Sequence, residues 1–408
     1  WRLPLHALVS LAVMVTTLFG VDAAAKLTND EKTQSTSRDN GNHRTASAAL
    51  RSHRRRHHSE GANNRALTEE YTEGGSKAFS MKKVRTYTGP GFFESGVVSP
   101  SERFPQPGAE KVCERWAVIL TTSTPQPTHT VQHLSRLEDW CVVVVAGDKS
   151  GSDYYGLETV TYLSPADQEA MPYRITSLLP WNHLGRKSIG YLYAIHHGAK
   201  VIFDVEDEMH VYTKDKGIPY ADNGNVPHTS SSYTTASLAH NPYPCFGAPD
   251  KVWPRGFPPE SADDPWANMC ESVTDVSIEK QSNGKPRLLG VVQSLINNVP
   301  DVDAMCRLCD GDCKGTQFHF ATPPPAAEGD GTPAGNNPLK IVPPSAFTPY
   351  NAQATLHFSV AFWGLLLPVT VDERVSDIWR SYFTQAFLPS TGAVTAFAYP
   401  WVEKVMNS

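Results

Sequence analysis

The sequence has no surplus of positive charge, no internal repeat, no Asn-x-Ser/Thr acceptor and a single apolar run of near-membrane length. Its 36 Lys and Arg are outnumbered by 42 Asp and Glu, for a formal net charge of -6. No basic stripe interleaved with aromatics runs through the globular part, which excludes a dedicated nucleic-acid binder. The missing repeat excludes solenoids and propellers. The missing acceptor removes the usual site of N-linked glycan. Cysteine is sparse, seven in 408 residues, and the odd number leaves one without an internal partner. What is present suffices for a large core: 40% of the residues are hydrophobic, over a length that suits one large domain or two ordinary ones.

The one apolar run lies between Leu3 and Ala25, with Arg2 before it and His6 and Asp22 interrupting it. A full membrane span needs about 20 apolar residues. Residues 1–25 therefore read as a signal anchor, or as a signal peptide cleaved near Ala23-Ala24-Ala25. Either sends the rest of the chain into the secretory lumen. Residues 26–110 are rich in Ser, Asn, Arg, His and Gly, including Arg51-Ser52-His53-Arg54-Arg55-Arg56-His57-His58. Such a segment cannot bury enough apolar area to offset chain entropy, so a disordered stalk is expected. Trp1 stands where Met would start a complete chain, so a missing N-terminus is expected.

Residues 111–408 carry the pattern of a folded domain. Trp116-Ala117-Val118-Ile119-Leu120 reads as a buried strand, and Val131, Leu134 and Leu137 share one helix face. Cys141-Val142-Val143-Val144-Val145 suits a parallel strand covered on both faces. A short strand over Thr159–Leu163 leads to Ser164, a helix cap with Pro165 at the first position and Asp167 in the first turn. A helix follows over Arg186–His197, closed by Gly198, and then a strand from Lys200 to Phe203. The run Phe362–Thr370 also reads as strand-like. Alternation of strands and helices predicts an α/β fold with a mostly parallel, Rossmann-type sheet flanked by helices. Ligands in such sheets sit at the carboxyl ends of the strands. Three polar clusters fall there: Thr121-Thr122, Asp148-Lys149 and the acidic run Asp204-Val205-Glu206-Asp207-Glu208.

The acidic run carries the predicted chemistry. Side chains alternate along a strand, so Asp204 and Glu206 point to one side and Asp207 enters as the strand ends. Hard oxygen ligands suit Mn²⁺ or Mg²⁺, which bridges a diphosphate and stabilises its charge as it leaves. Asp204, Glu206 and Asp207 are thus the candidate metal ligands. Arg186 and Lys187 begin a helix just upstream and are natural partners of a diphosphate.

The runs Trp140–Val145, Leu179–Lys187, Gly190–Ile195, His197–Asp204, Asn241–Pro244, Val252–Pro258, Pro300–Ala304 and Phe362–Thr370, then Asp377-Ile378-Trp379-Arg380, resemble the STELLO family of probable glycosyltransferases. The likeness spans about Trp116 to Tyr399. A more distant likeness to the reversibly glycosylated polypeptides points to uridine nucleotides. The resemblance implies a GT-A-like domain of a single-pass type II Golgi membrane protein, lumenal in its globular part. It implies transfer from a UDP-sugar to a lumenal acceptor, in support of cell-wall polysaccharide synthesis. The alternative it allows is a non-catalytic scaffold for glycan synthase complexes. By position, Thr121, Thr122 and Asp148 would contact the nucleoside, Arg186 and Lys187 the diphosphate, and Asp204, Glu206 and Asp207 would share metal and ribose. Asp377 would be the acceptor base with Trp379 and Arg380 flooring the acceptor site, and Asp301 and Asp303 the alternatives. Two departures stand out: Glu206 where the family carries mainly Asp, and Ser188 where Asn is expected. Members of the family also continue past the position of Ser408.

Cys306, Cys309 and Cys313 with His319 have spacing reminiscent of zinc ligands. Disulfides compete with that reading in an oxidising lumen, with Cys270 as a candidate partner. The Pro/Gly/Ala-rich segment 323–338 reads as a flexible insertion.

Overall fold

The computed structural model describes residues 113–404, apart from 122–126, 151–156, 158–159, 212–216, 223, 228–229, 234–235, 250, 271, 274–280, 282–283, 286, 309–316 and 323–337. All of them belong to one compact unit, Val98–Ser408. The expected membrane segment and stalk lie outside the described residues, as does the flexible insertion apart from its last residue. Among the described residues no helix is long and apolar enough to cross a membrane.

The first half alternates as its sequence predicts. Strand β1 (Arg115–Thr121) is followed by helix α1 (His129–Leu134), β2 (Trp140–Ala146), β3 (Val160–Leu163), α2 (Pro165–Ala170), α3 (Lys187–His196) and β4 (Val201–Val205). Helix α2 opens on a full capping box, in which Ser164 accepts from Asp167 N–H while the Asp167 carboxylate accepts from Ser164 N–H. Gly198, at φ 89°, ends the turn after α3. The second half adds β5 (Met209–Val211), β6 (Ser231–Tyr233), β7 (Ser272–Val273), β8 (Leu288–Asn297), the short helix α4 (Ala304–Leu308), β9 (Lys340–Ile341), β10 (Ala354–Phe358), α5 (Glu373–Phe387) and β11 (Ala393–Lys404). Phe362–Thr370, expected as strand-like, is a 3₁₀ turn over Ser359–Gly364 followed by irregular chain. Pro368 has no N–H for a ladder. Leu365 and Leu367 instead bury against the α3 side of the sheet.

The eleven strands of the described residues join one sheet, in the order β3-β2-β1-β4-β10-β8-β11-β9-β6-β7, with β5 on β11. Strands β3, β2, β1 and β4 are mutually parallel, β10 runs against both β4 and β8, and β11 is parallel to β8. The result is the mixed α/β architecture expected, with a large, mostly parallel sheet.

Period-two alternation sorts the central strands between two cores. Ala117, Ile119, Val142, Val144, Phe203 and Val205 face α1, through Val131 and Leu134. Trp116, Val118, Val143, Val145 and Ile202 face α3, through Ile189, Tyr191, Tyr193 and Ala194. Helix α3 approaches the sheet closely because Gly190 has no Cβ; one placed there would lie 2.6 Å from Val118 Cγ1 and 2.7 Å from Val145 Cγ2. Cys113 and Cys141 are disulfide-bonded beside the first β1–β2 pair. Cys270 is bonded to Cys245 rather than to the later cysteines. Cys306 is itself disulfide-bonded, which removes its thiolate from a zinc set. Cys309 and Cys313 lie outside the described residues.

Candidate functional site

Strands β2 and β3 leave β1 on one side and β4 on the other, which makes the carboxyl ends of β1 and β4 the topological switch point of the sheet. Thr121 ends β1 and Val205 ends β4, so the acidic run emerges at that crevice. The loops are tied together there: Gly147 N–H donates to Thr121 O at 2.7 Å, and Asn182 N–H to Gly147 O at 2.8 Å.

Asp204 lies inside the sheet, opposite Val118 of β1 and Thr355 of β10, and is fully buried. Alternation puts it on the α3 face, which α3 and α5 roof. Lys187 Nζ sits 2.5 Å from Asp204 Oδ1, Arg380 Nη2 2.9 Å from Oδ2, and His357 Nε2 3.9 Å from Oδ2. Burial pushes the Asp204 carboxyl up, yet the Lys187 ammonium and the Arg380 guanidinium together hold it below the ordinary carboxylate range. Burial and Arg380 push His357 down to about 3, so its imidazole is neutral. This placement departs from the expectation of Asp204 as an open metal ligand. It departs equally from Lys187 as a diphosphate contact and Arg380 as an acceptor floor: Lys187 Nζ also donates to Val205 O at 2.8 Å and Ala352 O at 3.0 Å. Trp379, by contrast, is exposed. Ser188 is buried and its hydroxyl accepts from Leu367 N–H at 3.4 Å.

Glu206 and Asp207, one and two residues past the strand, remain at its mouth. Asp207 is hydrogen-bonded by the Thr121 hydroxyl, and burial outweighs that bond to raise its carboxyl above the ordinary value. Glu206 keeps 28% side-chain exposure and lies 3.9 Å from Lys404 Nζ, which also contacts Glu208. Burial pushes the Glu206 carboxyl up to about 8, against the pull of Lys404 and Lys187 and with the push of Glu208 and Asp377. Among the described residues, no three His, Cys, Asp or Glu side chains are grouped to hold a metal by themselves. The donors at this mouth are nevertheless all oxygens, and two carboxyls there are raised in a way that an added cation would relieve. A divalent ion therefore fits if a ligand supplies the rest of its shell.

The other candidates divide. Asp148 is half-buried at the end of β2 and folds into a local turn, accepting from Ser150 N–H at 2.9 Å and Ser150 Oγ at 2.5 Å. Thr122 lies outside the described residues. Arg186 is buried and lies against the 171–181 loop, away from Lys187. Asp377 neither begins α5 nor faces an open acceptor site. Asp372 caps that helix, and Asp377 is 2% exposed within it. Its carboxylate accepts from Arg255 Nη1 at 3.0 Å, Arg255 Nη2 at 2.8 Å and Ala352 N–H at 3.1 Å. Arg255 Nε donates to Asp301 at 2.9 Å, and Asn351 Nδ2 adds a further bond to Asp301 at 2.9 Å. Asp303 accepts from Gly256 N–H and Met305 N–H, both at 2.9 Å, so it fastens the start of α4. Arg255, which binds two of the three predicted catalytic acids, carried no signal beyond the run Trp253-Pro254-Arg255-Gly256.

No family model matches the chain. Two curated relatives do. "Probable glycosyltransferase STELLO1" of Arabidopsis thaliana is 31% identical over 317 residues, covering 73% of this chain and 38% of the relative. "Probable glycosyltransferase STELLO2" of the same plant is 31% identical over 300 residues, covering 71% of this chain and 36% of the relative. The α/β domain is related to the STELLO family. The aligned part of the chain thus spans little more than a third of the length of these STELLO relatives. The likeness expected from the sequence runs is confirmed at the level of the family.

Two outcomes follow from this geometry. Asp377→Asn should lower the unfolding free energy by about 3 kcal/mol in chemical denaturation, because it strips a largely buried guanidinium of a bidentate partner; an unchanged midpoint would mean that the Arg255 bridge is not structural. Glu206 is protonated more readily folded than unfolded, so its contribution to stability is full below about pH 4.5 and is lost as pH rises towards 8. Glu206→Gln should therefore flatten the fall in melting temperature across that window; an identical pH profile in the variant would refute the raised carboxyl.

Proposed function

We propose that this domain is the donor-binding part of a metal-dependent glycosyltransferase with a GT-A-like fold, acting on a nucleotide sugar whose nucleoside is uridine. The observation that supports this most is the pair Glu206 and Asp207 at the switch-point crevice of a STELLO-related sheet, with Asp207 tied to Thr121. Glu206 and Asp207 would hold Mn²⁺ or Mg²⁺, an ion commonly bound by one or two carboxylates plus substrate phosphates. When bound, the ion supplies charge stabilisation for a departing diphosphate. Thr121 orients Asp207, and Lys404 balances Glu206 and Glu208 before a cation arrives. The Asp204–Lys187–Arg380 group fixes the strand end and keeps water out beneath it, rather than touching the donor. Asp148 at the end of β2 would contact the nucleoside, and the acceptor would belong to the same compartment as the domain.

The closure of Asp204 and Asp377 supports a second reading, a domain that binds a nucleotide sugar without turnover and helps assemble glycan synthases. Calorimetry separates the binding function from its absence. UDP should bind with Mn²⁺ and lose at least tenfold in affinity with EDTA or in Asp207→Asn, about the weight of one charge-assisted contact. Equal affinity in the variant would reduce the acidic run to a solvated turn. Release of UDP from a panel of UDP-sugars then distinguishes enzyme from scaffold.

We also infer a lumenal location for the domain, supported by the disulfides Cys113–Cys141 and Cys245–Cys270, which persist in oxidising compartments. Protease added to sealed microsomes should spare the domain until detergent is present. Digestion without detergent would place it on the cytosolic side.

A further inference from the structure

Three acids, Glu206, Asp207 and Glu208, follow one another at the mouth of β4. Two of them share one lysine from the far end of the chain. Lys404 Nζ contacts Glu208 Oε1 and lies 3.9 Å from Glu206 Oε2. The side chains of Lys404, Glu206 and Glu208 are 25%, 28% and 36% exposed, so all three meet solvent at the opening. Asp207, between the two acids, is tied to the Thr121 hydroxyl instead. The ammonium thus sits on the carboxylates that flank Asp207, where an incoming cation would have to bind.

The sheet fixes the root of this lysine. Strand β11 ends on it, and antiparallel pairing with β5 sets Lys404 opposite Met209 and Glu403 opposite His210. Asn298, just past β8, donates from Nδ2 to Lys404 O at 2.9 Å, which holds the same backbone from the other side. The neighbouring acid is committed elsewhere: Glu403 Oε1 lies 3.0 Å from His210 Nδ1. Beyond its Cα, Lys404 carries a compact charge on a flexible four-carbon stem. The root is therefore held by two strands while the ammonium can move. Lys187, the other lysine near β4, has no such freedom, because it is fully buried on Asp204 and two carbonyls.

We propose that Lys404 is a built-in counter-ion that bars a bare divalent cation from the acidic mouth and makes metal binding depend on a diphosphate ligand. The inference rests on the metal-dependent donor reading above and adds a regulation to that site. A dication arriving alone is repelled by an ammonium a few ångströms away in a partly buried setting, where screening by water is weak. A diphosphate removes that barrier in two ways: it supplies negative charge, and its oxygens are acceptors for the displaced ammonium. Metal and diphosphate then favour each other's binding by the same factor, as linkage requires. Lys404 is a positioning residue in this scheme, since it acts on the ion through Glu206 and Glu208.

The test is Mn²⁺ titration of the full chain, read from the paramagnetic resonance of free Mn²⁺, with and without saturating UDP. In wild type, UDP should tighten Mn²⁺ binding at least about tenfold, within the usual range of coupling between two ligands. Lys404→Met keeps the stem and removes the charge. It should bind Mn²⁺ alone at least about tenfold more tightly than wild type, and the further tightening by UDP should shrink correspondingly. Lys404→Arg keeps the charge and should retain the wild-type pattern. Asp207→Asn added to Lys404→Met should abolish the gain, which places the extra ion at the mouth. Should Lys404→Met not fold, Lys404→Gln carries the comparison. Mn²⁺ binding no tighter without the lysine charge, with the UDP–Mn²⁺ complex still formed, would overturn this proposal alone. No Mn²⁺ uptake by any of these proteins, even with UDP, would overturn the donor reading and this proposal with it.

Discussion

The interaction on which the rest of the domain depends is the buried ion group around Asp204. A carboxylate taken wholly out of water is unstable unless cations and hydrogen bonds replace its hydration. Here one cation comes from the first turn of α3 and the other from the middle of α5, more than a hundred residues later in sequence. The group therefore holds two helices against one strand and fixes where β4 ends. Lys187 reaches on to the carbonyls of Val205 and Ala352, which binds the mouth of β4 to the start of β10. Everything placed at the crevice inherits its position from that contact.

A second charged hub works beside the first. Arg255 spans Asp301 and Asp377, and Asp377 also accepts from Ala352 N–H, the same residue whose carbonyl receives Lys187. The two hubs thus meet at one residue. Gly256, at φ 78°, lets the chain pass under α5, where an added Cβ would lie 2.3 Å from Ile378 Cγ2. With Asp204, Asp301 and Asp377 engaged by cations, Glu206 and Asp207 are the carboxyls of the predicted set left at the opening. Their raised proton affinity comes first from burial, with the Glu208 carboxylate adding a like-charge push.

This arrangement divides the roles of adjacent residues. Arg186 and Lys187 follow one another, yet Lys187 neutralises the sheet interior while Arg186 stacks on Trp181 and donates to Leu179 O. Neither is open to a diphosphate in this structure, Arg186 being 1% and Lys187 0% exposed. The two neighbours are thereby committed to different parts of the fold, one to the interior of the sheet and one to the loop before α3.

By itself the sequence determined the alternation of β1 to β4 with their helices, the capping box at Ser164, and the emergence of Asp204, Glu206 and Asp207 at a strand end. It also carried the family likeness. These are local matters: side-chain period, cap chemistry and contiguous motifs are written within a few residues of one another. Tertiary structure alone decided which carboxylates are used up. Whether Asp204 meets solvent or Arg380, and whether Asp377 meets an acceptor or Arg255, depends on contacts across 176 and 122 residues. Nothing in the neighbourhood of either acid reports them.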